Sequence, residues 1–142
     1  MNSQVEFRSI FVVTLLAVTL AIGCGTKSKV DRLAISGQVT YKGQPVPAGF
    51  ICFSPDSKKG NRGPQGVARI INGRYDTKSN GKGSVQGPQI VEIRGFEAHQ
   101  SPTGDTLPNA TGPPLFSPYM TEIDIQGDMT DVDFEVPEGP AS

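Results

Sequence analysis

From Ala34 onward the chain alternates. Ile35, Gly37, Val39 and Tyr41 fall on one face, and Ser36, Gln38 and Thr40 on the other. A period of two is the mark of a half-buried strand. The same reading predicts strands over 49–54, 67–71, 74–77, 89–96, 119–126 and 129–136. In the penultimate segment Ile123 and Ile125 share a face. In the last, Val132, Phe134 and Val136 oppose Asp131, Asp133 and Glu135. Lys42-Gly43-Gln44-Pro45 and the Gly-rich stretches 58–66 and 79–84 read as turns and loops. Asn72-Gly73 between two alternating runs is a strong hairpin signal, because both residue types accept positive φ. No helical periodicity and no internal repeat interrupts this pattern. Seven short strands with turns between them predict an all-β fold, an antiparallel β-sandwich of immunoglobulin-like type spanning 34–137.

Two stretches break the alternation. Residues 10–22, IFVVTLLAVTLAI, are apolar apart from Thr14 and Thr19. A membrane-spanning helix needs about 20 such residues. A run of this length suits the core of a signal peptide, about 7–15 residues long. It follows a polar start containing Arg8 and ends at Gly23-Cys24. The second exception is 97–118, which holds five prolines (Pro102, Pro108, Pro113, Pro114, Pro118) and cannot form a ladder. Loops beyond about 12–15 residues are uncommon in compact domains unless they serve a function. Leu107, Leu115 and Phe116 in this stretch are the candidate binding residues, as anchors onto the sandwich or as contacts for a partner.

The segment Ala21-Ile22-Gly23-Cys24 resembles the lipobox of bacterial lipoproteins. The resemblance implies a diacylglycerol on the Cys24 thiol, cleavage between Gly23 and Cys24, and acylation of the new amine. Residues 1–23 are then a signal peptide and 24–33 a lipid-anchored tether, with 138–142 a frayed tail. Gly25 is not the Asp that such proteins use for inner-membrane retention, so the outer membrane of a two-membrane envelope is favoured. Lys27, Lys29 and Arg32 in the tether are placed to touch anionic head groups.

Composition agrees with the β reading. The 142 residues include 17 Gly and 12 Pro, both poor in helix interiors, and no Trp. Net charge is −1, unevenly distributed. Residues 24–97 carry twelve Lys/Arg against five Asp/Glu, and 98–142 carry eight Asp/Glu with no Lys or Arg. Interleaving of the two halves in one sheet system would pair these charges. Scattered basic residues on a slightly acidic chain exclude nucleic acid as a partner class.

Catalytic chemistry lacks parts. The single histidine, His99, has no nucleophile motif to serve. Asp124, Asp128, Asp131 and Asp133 do not follow calcium-loop spacing, and Asp131 and Asp133, on the exposed face of a strand, read as solvating charges, so no metal site is assigned. The Gly-rich loops lack the phosphate-loop pattern. No cofactor is expected. With Cys24 acylated, Cys52 is the remaining thiol. Within Phe50-Ile51-Cys52-Phe53 it is expected to be an inert core residue.

ISGQVTYKGQPVPAGFICFSP (35–55) is similar to the opening of transthyretin-like or carboxypeptidase-regulatory-like β-sandwiches. GVARIINGRYDT resembles their central hairpin and GPQIVEIRGFE their following strand. SPYMTEIDIQGDMTDVDFEV resembles the last strands of small planctomycete-type lipoproteins. The resemblance implies a non-catalytic domain. The expected function is a lipid-anchored envelope module with a structural or protein-interaction role. A second reading is carbohydrate or small-ligand binding, for which Tyr41, Tyr75 and Tyr119 would have to form an aromatic platform.

Overall fold

The computed structural model describes residues 30–97 and 112–139. The apolar run, Gly23, Cys24, His99 and Leu107 lie outside the described residues. The fold is all-β and sandwich-like, built as one sheet curled into a half-barrel. Its strands are β1 (Ser36–Tyr41), β2 (Gln44–Pro45), β3 (Ala48–Pro55), β4 (Gly66–Ile71), β5 (Arg74–Asp76), β6 (Gly81–Lys82), β7 (Gly87–Phe96), β8 (Tyr119–Ile125) and β9 (Phe134–Val136). The order across the sheet is β2-β1-β5-β4-β3-β7-β8, with β6 added on β4 and β9 on β1.

The core follows from the alternation. Register pairs Ile51 with Ala68 and Ile93, and Phe53 with Val91, so these side chains share one face. They are fully buried together with Ile35, Val39, Ile70 and Ile125. Each such side chain contributes roughly 1.5–3 kcal/mol through burial. The buried polar groups are satisfied internally. Gln89 donates to the Val85 carbonyl (2.9 Å) and accepts from the Ser84 hydroxyl (3.2 Å). Thr77 accepts from the Ile35 N–H (2.8 Å).

Two short strands appear where turns and loops are expected. Lys42 (φ 54°) and Gly43 (φ 70°) form a two-residue turn that folds Gln44-Pro45 back on Thr40-Tyr41. Asn72 (φ 49°) and Gly73 (φ 78°) make the anticipated hairpin by the same geometry. Within 79–84, Gly81 pairs with Ala68 and Lys82 with Val67. The backbone of Val67 comes so close that a Cβ on Gly81 would sit 1.8 Å from its carbonyl oxygen.

The expected last strand, 129–136, is interrupted, and it runs parallel to β1 rather than antiparallel. Met129 bridges Ile35, and Phe134 pairs with Val39. The offset between partners therefore grows by one residue along the way, a bulge. Asp131 sits at the break with φ 57°. Here the carbonyl of Val132 accepts from the Tyr75 hydroxyl (2.7 Å). Only glycine allows this approach, since a Cβ on Gly37 would lie 2.1 Å from that carbonyl oxygen.

The ordered domain also starts before the alternation does. Leu33 pairs with Ser84, and the Arg32 guanidinium donates to the carbonyls of Gln65 (2.9 Å) and Gly83 (2.5 Å). The end assigned to the tether is thus fastened to the sheet.

Candidate functional site

Because one face of each strand builds the core, the other face is set by register. Val67 of β4, Cys52 of β3, Glu92 of β7 and Met120 of β8 form one row. At about 4.8 Å per strand this row runs about 14 Å. Arg69, Phe50 and Arg94 form the next row, with Phe50 between the two arginines. Ser54, Ile90 and Glu122 form a third. Phe50 is 39% exposed and Met120 52%. The outer face therefore carries two exposed apolar side chains, Phe50 and Met120, with Arg94 and Glu92 of β7 between them. The Arg94 Nε donates to Glu92 Oε1 at 2.5 Å. Lys59 closes one margin by pairing with Glu122, whose hydrogen bond holds the ammonium above the usual lysine range. Solvent screens exposed pairs like these, so they shape the surface more than they stabilise it.

Cys52 lies on this face and not in the core. Ile51 and Phe53 take the inward positions, so strand alternation turns Cys52 outward, half-exposed, with its Sγ 4.0 Å from the Ser54 hydroxyl. An unbroken apolar run suggested burial on both faces, but the sheet has one covered face here.

Of the candidate binding residues, Leu115 and Phe116 are described, and both pack against the core. The Leu115 N–H donates to the Gly95 carbonyl (2.9 Å). The Phe116 ring meets Tyr41 at a centroid distance of 4.9 Å and lies directly over Gly95, where a Cβ would come within 2.6 Å of it. Both side chains thus hold this part of the segment against the sheet. The tyrosines do not form a platform. Tyr41 packs on Phe116, Tyr75 lies between Phe53 and Phe134, and Tyr119 faces inward on β8.

Two members of the acidic cluster near the C-terminus, Asp128 and Asp133, are structural. Asp128 accepts from the Ala34 N–H and Asp133 from the Gln38 N–H, each at 2.8 Å. Their carboxylates stand in for strand carbonyls along the edge of β1, so the reading of Asp133 as a solvating charge is corrected. No group of three or more potential metal ligands occurs among the described residues.

Phe50 and Met120 were not singled out in the sequence, although their phase carries the signal. Each falls one residue out of step with the inward positions of its strand, Ile51 and Phe53 in β3 and Ile123 and Ile125 in β8. Comparison with known protein families, curated proteins and solved structures gives no match to this chain.

Proposed function

We propose that the chain is a non-catalytic, lipid-anchored module of the cell envelope that binds a protein partner through the outer face of β3, β7 and β8. The observation that carries the interaction role is the placement of Phe50 and Met120, 39% and 52% exposed, on one face. Exposed aromatic, methionine and arginine side chains are enriched at protein-binding surfaces. The anchor rests on the 13-residue apolar run that ends in Gly23-Cys24. On this reading the sheet is held at the membrane, favouring the outer one, with its free face available.

A photoreactive residue at position 120 in intact cells tests the interaction. Adducts to one protein from position 120, absent from position 42 on the β1–β2 turn, are expected. Adducts should also be lost when Phe50→Ala is combined with the probe. Equal adduct patterns from both positions would refute a specific face.

A further inference from the structure

At the end of the sheet where the described chain begins, a groove of about 450 Å³ is lined by Arg32, Lys78 and Lys82, with Gly81, Gly83 and Asp128 among its other walls. The three cations come from separate parts of the chain: the entry segment, the turn after β5, and β6. Arg32 is held there by the carbonyls of Gln65 and Gly83, which use part of its five-donor fork. Neither Lys78 nor Lys82 is in an ion pair among the described residues. The carboxylate in the lining, Asp128, is already engaged by the Ala34 N–H. A second nearby acid, Asp76, is turned to the Lys78 and Ser79 backbone and the Ser79 hydroxyl. The groove therefore presents cationic donors whose neighbouring acids have internal partners.

Its place in the chain says what it meets. Val30 stands at the same end, 44% exposed, six positions after Cys24. Extended, that length reaches about 20 Å. Whatever holds Cys24 at a bilayer therefore also holds this groove within reach of the lipid phosphates.

We infer that the Arg32–Lys78–Lys82 groove docks on anionic phospholipid head groups and stands the sheet upright on the membrane, a reading that rests on the lipid-anchor proposal. Lys78 and Lys82 then lie at the bilayer, and Lys42, at the opposite end of β1, lies away from it.

The test uses the full chain as purified from the expressing cell, reconstituted in vesicles of zwitterionic lipid alone or with anionic phosphatidylglycerol. A membrane-impermeant amine reagent is read by mass spectrometry at Lys42, Lys78 and Lys82. Labelling of Lys78 and Lys82 is expected to fall about fivefold on the anionic vesicles, with Lys42 unchanged. The protection should vanish in about 0.5 M salt, where screening cuts the electrostatic range to a few ångströms. Equal labelling on both vesicles overturns the inference. Protection on zwitterionic vesicles by inorganic phosphate, without a response to anionic lipid, makes this a soluble-anion site and overturns it too. The N-terminal peptide of the same sample reports the anchor separately. An acyl mass on Cys24 without protection leaves the anchor standing and removes the groove's role. Protection in a chain without acyl groups, held by residues 10–22, keeps the groove and removes the anchor.

Discussion

Single residues decide where the sheet can close. Gly37 is one such case: any Cβ there strikes the Val132 carbonyl. Gly37→Ala should cost about 2–3 kcal/mol, the range for forcing atoms into a filled site, measured by denaturant unfolding. Tyr75→Phe removes one hydrogen bond to that same carbonyl and should cost about 1 kcal/mol. Burial, and then the nearby Asp133 charge, raise the Tyr75 pKa. Its folded value lies above its unfolded one, so this contribution is complete below about pH 10 and is lost as pH rises beyond it. The outward Cys52 should label readily with thiol reagents in the native protein, and Cys52→Ser should shift stability by no more than about 0.5 kcal/mol. Much at this scale was legible. Asn72-Gly73 forms its hairpin because the φ values demanded there suit those two residues. The side of the sheet taken by Cys52 was not, because four apolar residues in a row hide the phase that their neighbours carry.

At the scale of elements, the long strands follow the alternation closely. The segment expected at 49–54 is Ala48–Pro55, and that expected at 89–96 is Gly87–Phe96. Short pieces held by backbone alone escape such a reading. Gly81–Lys82 has no apolar face, and its glycine signals only close approach after the partner is known. The last strand misleads for a different reason. Its alternation is intact, yet the bulge at Asp131 and the parallel partner leave no trace in it. The Pro-rich stretch also divides into parts. Phe96 bridges Pro114, and the Glu97 N–H donates to the Pro113 carbonyl (3.0 Å). The described residues on either side of 98–111 thus meet at one point of the sheet. Replacing 98–111 with a short Gly-Ser linker should leave the melting temperature nearly unchanged, whereas Phe116→Ala should lower stability by about 2 kcal/mol, less than full aromatic truncation because the ring is half-exposed. Differential scanning calorimetry separates the two.

For the whole molecule, the uneven charge along the chain is resolved mostly through backbone contacts. Among the described ion pairs, Lys59–Glu122 is the one joining the basic and acidic parts. Asp128 and Asp133 instead cap N–H groups of the opposite terminus. Acid should weaken the fold at Asp76. The Asp76 carboxyl lies below the usual aspartate range, held first by the Lys78 N–H and then by the Ser79 hydroxyl. With the folded pKa below the unfolded one, its contribution is present above about pH 4 and fades as pH falls through the lower folded value. Asp76→Asn should be destabilised at pH 7 and approach the parent protein near pH 2, as urea titrations at both values would show. At the same scale, Cys24→Ser should leave an unprocessed precursor without fatty acid. Radiolabelled palmitate still entering that variant would remove the anchor.

The parallel pairing of β9 on β1 has a consequence for the order in which the protein becomes itself. The first long strand and the last three-residue strand are neighbours, so the contact that seals Val39 and Tyr75 spans almost the whole domain. A chain emerging amino-end first, from a ribosome or through a secretion channel, keeps that seam open until residues 129–136 arrive. Contacts of such long range form late and slowly. A product truncated before Met129 would expose an unpaired β1 edge, an open template for aggregation and a mark for proteolysis.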